Sequence, residues 1–330
     1  CFMRMRFNKN ECTVCTSNCS CVALVFGDDI VINADKCTSC MICVSECPAD
    51  CFDIKGEDFF AILAKLRKVQ NSVAYPVLGC KTVSKVDAHE KMVCLGALSE
   101  EHLIAIKVFL DKPVRLNLTS CAECKNSFIV ETLKERIAGI KENSALDVSE
   151  KVMLVENKAD LRFEEISYDR RGFFSAMKNL TFLQASGFFE EGEKEIIQSY
   201  SQKKLPIKRD ILNTIVKRIT DKNIVGKLLL EYAFTIKAGA SCDNCFACIG
   251  MCPTGALKIK SDDTGLGLLF NSSMCNGCGL CRDFCLNESI TLSHGYCGDK
   301  FFEHEPCNNN PAEADTTENN SIEAECYKGQ

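Results

Sequence analysis

Cys242-Asp243-Asn244-Cys245-Phe246-Ala247-Cys248-Ile249-Gly250-Met251-Cys252-Pro253 spells C-x2-C-x2-C-x3-C-P, and Cys275, Cys278, Cys281 and Cys285 repeat the cysteine spacing a short stretch later. Three thiolates two residues apart wrap one corner of a cubane. The fourth, three residues on and turned away by proline, points at a neighbouring cluster, so the spacing reads as iron–sulfur ligation and one motif implies the other. A zinc site asks instead for two Cys-x2-Cys knuckles separated by a loop.

These residues resemble the bacterial two-cluster ferredoxin family. The resemblance implies that Cys242, Cys245, Cys248 and Cys285 hold one [4Fe–4S] cluster, and Cys275, Cys278, Cys281 and Cys252 its partner. Leu286 stands where proline usually follows the second motif, which is expected to loosen the turn without removing a ligand. Cys37, Cys40, Cys43 and Cys47-Pro48 reproduce the whole motif near the N-terminus, while its upstream companion is irregular. Cys12, Cys15, Cys19 and Cys21 read C-x2-C-x3-C-x-C, with Asn18 and Val22 where regular spacing would put the third and fourth thiolates. By the same resemblance Cys12, Cys15 and Cys47 would serve one cluster and Cys37, Cys40 and Cys43 the other. Cys19 and Cys21 would divide the two remaining places, with Cys51 as a substitute near Cys47.

Between the N-terminal motifs, Val22 to Phe26 and Ile30 to Ile32 flank Gly27-Asp28-Asp29, the pattern of a short hairpin. Ala256 to Lys260 and Leu266 to Phe270 do the same between the C-terminal motifs. The expected modules are residues 1–55 and 239–298. Domains this small bury too little apolar surface to stand alone, so their clusters are expected to act as staples.

The chain has 330 residues and 25 cysteines, too long for a simple ferredoxin and unlike the short secreted chains that carry disulfide frameworks. No apolar run is long enough to cross a bilayer and no signal segment opens the sequence, so a cytoplasmic location is expected. Asp169-Arg170-Arg171-Gly172-Phe173-Phe174 resembles a twin-arginine signal, but its mid-chain place reads as a solvated helix start. The net charge of −6 has a local source: from residue 299 eight carboxylates face Lys300 and Lys328. That tail, 299–330, is expected to be disordered. No basic, aromatic-interleaved patch suggests nucleic acid.

From about residue 57 the period changes, and residues 56–156 read as an α/β domain. Glu57 to Val69 and Ser99 to Leu110 have helical spacing, as does Ser127 to Ile140. Val73 to Leu78, Lys91 to Cys94, Val114 to Leu118 and Lys151 to Val155 read as strands. This succession favours a parallel or mixed sheet with helices on its faces. Cys80, Cys94, Cys121 and Cys124 all leave the carboxyl ends of strands, where ligands of such sheets sit. Residues 72–140 resemble, on that spacing, thioredoxin-like [2Fe–2S] ferredoxins and the small iron–sulfur subunit linking hydrogenase to heterodisulfide reductase. A [2Fe–2S] cluster, a zinc ion and plain or redox-active thiols are the competing readings of the tetrad. Residues 157–238 are expected to form a helical linker, with Arg170, Arg171, Lys208 and Arg209 as solvated or helix-end charges.

The predicted fold class is therefore a multidomain α+β and α/β chain, with two ferredoxin-like dicluster modules flanking an α/β domain and a helical segment. Up to four [4Fe–4S] clusters, with one [2Fe–2S] cluster or zinc ion, imply electron relay between redox proteins such as a dehydrogenase or hydrogenase. The alternatives are a redox enzyme subunit whose central tetrad is the active or switch centre, and an assembly factor for an oxidoreductase. No nucleotide- or flavin-binding fingerprint, P-loop or haem attachment motif is present, and no catalytic residue is assigned.

Overall fold

The computed structural model describes residues 12–27, 30–83, 86–166, 203–262 and 265–307. The twin-arginine-like segment, the apolar stripe at 173–183, Cys1, Cys326 and the tail beyond 307 lie outside the described residues. The fold is mixed α/β: one parallel four-stranded sheet with small antiparallel sheets around it.

The parallel sheet has the order β4-β3-β5-β6, built from β3 (Val77–Cys80), β4 (Glu90–Met92), β5 (Val114–Asn117) and β6 (Val152–Val155). Helices α4 (Glu100–Phe109) and α5 (Ile129–Ser144) form the crossovers from β4 to β5 and from β5 to β6. Ser99 and His102 make a reciprocal capping box at the start of α4, where Glu100 and Glu101 complement the helix dipole. Helix α3 (Phe59–Val69) starts at Asp58, whose carboxylate accepts from the Phe60 and Ala61 N–H groups. Its buried face is Phe59, Ile62, Leu63, Leu66 and Val69, each contributing about 2 kcal/mol of burial. β3 and β4 are only nine residues apart, too few for the usual helical crossover, and His89, just before β4, exchanges hydrogen bonds with Val77. Gly79 permits this. A β-carbon there would stand 2.7 Å from Val86 Cγ1 and 2.8 Å from Ala88 Cβ.

The N-terminal module holds α1 (Val14–Ser17), the hairpin β1 (Leu24–Phe26) and β2 (Ile30–Ile32), and α2 (Ile42–Glu46). It is fused to the central domain, since Cys40 and Ile42 belong to the same buried core as the sheet. Arg136 of α5 clamps the junction. It donates to Leu98 O at 2.5 Å and Ser45 Oγ at 2.8 Å, and pairs with Glu46 at 2.5 Å.

In the linker, α6 (Lys158–Leu161), α7 (Ile207–Arg218) and α8 (Lys222–Tyr232) are helical as expected. β7 (Phe234–Ala238), at the end of that stretch, is a strand. It pairs antiparallel with β10 (Ile290–His294), so the C-terminal module begins before residue 239. Within that module β8 (Leu257–Asp262) and β9 (Gly265–Phe270) form the expected hairpin, between the short helices α9 (Ala247–Met251) and α10 (Leu280–Asp283). The start of the acidic tail is also ordered, against expectation. β11 (Glu305–Pro306) pairs with β9, and Phe301 and Cys307 are buried, because two aromatic residues and a cysteine there have apolar surface to hide. No helix among the described residues is long and apolar enough to cross a membrane.

Candidate metal centres

Three of the four predicted motifs share one backbone. Counting from the first cysteine of each, positive φ recurs two, four and thirteen residues on: Ser39, Met41 and Asp50; Asn244, Phe246 and Gly255; Gly277, Gly279 and Glu288. Only four of these nine positions carry Gly or Asn, so most of the motif's conformation runs against local preference. Left-handed residues alternating with right-handed ones turn successive N–H groups inward, making the concave nests that suit sulfur-ligated clusters. Gly277 N–H points at Cys275 Sγ at 3.4 Å, Cys51 N–H at Cys47 Sγ at 3.4 Å and Ser289 N–H at Cys285 Sγ at 3.4 Å. Glu288 keeps the turn after Leu286, so the missing proline does not loosen it.

The small sheets explain which thiols meet. β7 leads to Cys242 while β10 follows Cys285, and Gly239 N–H donates to Ser289 O at 2.7 Å across that sheet. Cys242, Cys245, Cys248 and Cys285 line one cavity. The β8–β9 hairpin likewise brings the end of the first motif to the start of the second, with Asn271 N–H donating to Ala256 O at 2.8 Å. Burial raises the Cys281 thiol, and Cys275, Cys278 and Cys252 raise it further by repulsion. Burial also raises Cys248 to about 11, with Cys242 and Cys245 adding to it. These are the thiols of different motifs that the C-terminal fold brings near one another.

The N-terminal thiols sort differently. Cys12, Cys15, Cys47 and Cys51 line one cavity. The Cys51 thiol hydrogen-bonds the Cys47 sulfur, lowering Cys47 to about 6 and raising itself. Cys19 and Cys21, 3.9 Å apart, both stand on the other side. Burial raises Cys40, and Cys21, Cys19 and Cys37 all add repulsion. Cys43 is raised to about 12 by burial, with Cys40, Cys37, Cys15 and Cys19 contributing. The expected division of Cys19 and Cys21 between two places is therefore not what the geometry brings about. α1 runs straight through the irregular motif, which lacks the left-handed positions of the other three, and the chain returns both sulfurs to the β1–β2 side.

Cys80 ends β3, Cys94 follows β4, and Cys121 and Cys124 follow β5, all at one edge of the parallel sheet. They line a single cavity with Val83, Val86 and Ile129, so the loop between β3 and β4 walls it. Successive turns, Cys121 N–H to Leu118 O and Cys124 N–H to Cys121 O, carry the closer pair. Burial raises Cys94 to about 12 and Cys121 to about 11, and Cys80 repels both.

Crowded thiols, several of them raised by burial and mutual repulsion and Cys47 lowered by its neighbour, form a donor set that suits a polycationic group, whose binding displaces the remaining protons. Among the described residues no three His, Cys, Asp or Glu side chains converge to hold a single metal ion. Two residues without a role in the sequence reading also stand here. Cys307 is buried beside the Cys242 cavity, raised to about 12 by burial and by Cys248 and Cys242. Arg209, expected to be a solvated helix-end charge, is 7% exposed, and Lys208 donates to Ser45 O at 2.8 Å. Helical spacing alone had no means to find them, because the surface they meet comes from distant chain segments.

Residues 30–53 match the 4Fe-4S binding domain family, a segment that contains Cys37, Cys40, Cys43, Cys47 and Cys51. The chain thus carries an iron–sulfur domain for at least one [4Fe–4S] cluster. No curated protein and no solved structure gives a significant match.

Proposed function

We propose that the protein relays single electrons between redox partners through four [4Fe–4S] clusters and a fifth, central iron–sulfur centre. Cys242, Cys245, Cys248 and Cys285 hold one cubane, and Cys252, Cys275, Cys278 and Cys281 the second. Cys12, Cys15, Cys47 and Cys51 hold the third, and Cys37, Cys40 and Cys43 the fourth, with Cys19 or Cys21. Cys80, Cys94, Cys121 and Cys124 hold the central centre. Cysteine-saturated clusters have no open coordination position, so they supply electron transfer instead of substrate activation.

The observation that carries this reading is that the turns bearing the N-terminal thiols pack against the turns bearing the central tetrad on one side and the C-terminal thiols on the other. Gly96, two residues past Cys94, packs against the Cys40 carbonyl, and Asn126 donates to Thr38 O at 3.0 Å. At the next junction Asn276 donates to Pro48 O at 3.3 Å, and Cys278 and Leu280 pack with Cys12 and Ala49. The order is central centre, two N-terminal cubanes, two C-terminal cubanes. For the central centre a [2Fe–2S] cluster is the first reading and a zinc ion the second, both of which four convergent thiols could ligate.

Metal analysis of anaerobically reconstituted protein tests the reading. A [2Fe–2S] centre beside four cubanes gives about eighteen irons, and zinc in its place about sixteen irons and one zinc. Protein devoid of iron and acid-labile sulfide sinks it. Anaerobic pull-down of a dehydrogenase- or hydrogenase-type subunit separates a relay from an assembly factor.

A further inference from the structure

We infer that Arg209 sets the reduction potential of the centre formed by Cys252, Cys275, Cys278 and Cys281, as the buried cation beside its Cys275 corner. The inference rests on the cluster reading above and adds to it a residue that no ligand spacing predicts.

Arg209 lies in the first turn of α7, yet its side chain is directed into the protein and is 7% exposed. Its Nε and Nη1 have no hydrogen-bond partner. A guanidinium stays protonated at any pH the fold survives, and leaving it buried with unspent donors is strongly unfavourable unless a negative group compensates. The Phe234 ring, 5.8 Å from Cζ, supplies only a weak attraction. Two negative groups act on Arg209, the Cys275 sulfur first and the Glu101 carboxylate second, and the packing ties it to the Cys275 side. One turn further along α7, Asn213 donates to Ser273 O at 3.0 Å, two residues before Cys275. The Phe234 ring packs against Gly277, two residues after it. The first contact pins the helix to the turn that carries Cys275, the second ties the ring that Arg209 faces to the same turn, and the buried Cys275 sulfur lies within electrostatic reach of the guanidinium.

Four thiolates give a [4Fe–4S] centre a net negative charge, and one-electron reduction adds another. A fixed cation with free N–H donors stabilises the reduced form more than the oxidised form, which raises the potential. Arg209 would make this centre the preferred resting place for an electron at the junction between the two modules.

Reconstituted full-length protein, wild type and with Arg209→Gln, Arg209→Met or Arg209→Lys, tests this by redox titration followed by EPR. The neutral variants should retain iron and sulfide and shift one component's reduction equilibrium at least tenfold toward oxidised, 59 mV for a one-electron couple. That component should be the one perturbed by Cys278→Ser, and Arg209→Lys should shift it less. Iron-replete neutral variants with every midpoint unchanged overturn the inference. Should these neutral variants fail to take up iron, Arg209→His titrated at about pH 9, where the imidazole is uncharged, decides: a midpoint of that component below wild type supports the assignment, and one equal to wild type refutes it. Wild-type protein without iron in this module would overturn the cluster reading itself.

Discussion

The nine left-handed positions show how much backbone each motif commits to its thiols. Gly277 illustrates it at one residue: its φ is +70°, and an added β-carbon would run into the Phe234 ring. Gly277→Ala should therefore destabilise the C-terminal module by about 2 kcal/mol or more, seen as faster iron release on warming. The N-terminal sorting makes a sharper prediction. Cys51→Ser should cost about four irons, whereas Cys19→Ser or Cys21→Ser singly should cost none, because five thiols surround that second place. Equal loss from all three variants would contradict the assignment. His102 offers a pH test. It is buried and held neutral, down to about 3, by desolvation first and then by Lys208 and Arg136. The unfolded chain takes up that proton below about pH 6.5 and the folded chain does not, so stability falls as pH drops from there toward 3. Urea midpoints measured from pH 7 to 5.5 should fall, and His102→Gln should flatten the slope.

Elements do their work here by bringing distant motif ends together. In the C-terminal module the β7–β10 and β8–β9 pairs each bring the end of one cysteine motif to the beginning of the other. Such pairing is legible from hairpin patterns at 256–270, but the β7–β10 pair joins segments more than fifty residues apart and left no local trace beyond five apolar-alternating residues. The parallel sheet was more readable. Strand and helix positions between 57 and 155 came out within a few residues of the pattern, because apolar periodicity there has a single core to serve. Arg136 of α5 is the element-scale anchor between that core and the N-terminal module. Arg136→Met should leave Glu46 and the Leu98 carbonyl unpaired and cost about 3 kcal/mol. Hydrogen exchange should localise the loss to residues 12–55 and not to the sheet; protection lost uniformly would argue against a separable junction.

Across the whole molecule, α7 is the piece that makes one body of three. It buries Ile211 and Ile215 in the central core, and Leu212 and Val216 against Leu229, Ala233, Tyr296 and Phe301 near the C-terminal module. Its first residues hold the N-terminal module through Asp50 and Ser45. Stability is unequal over this body. The central sheet has fully buried aliphatic layers, whereas thiols take up a large share of the buried positions in the cysteine-rich modules. Anaerobic chelation of iron should therefore deprotect amides in 12–55 and 239–298 while strands within 77–155 stay protected. What the sequence by itself determined was the chemistry and the local elements: cysteine spacing dictates which thiols travel together, and apolar period dictates strand or helix, both being short-range properties of the chain. Only the tertiary structure decided which thiols of different motifs lie near one another, that Cys51 stands by Cys47 and Cys19 by Cys21, and that Arg209 is buried. Those depend on surfaces assembled from residues far apart in the chain, where close packing, and not any local preference, selects the neighbour.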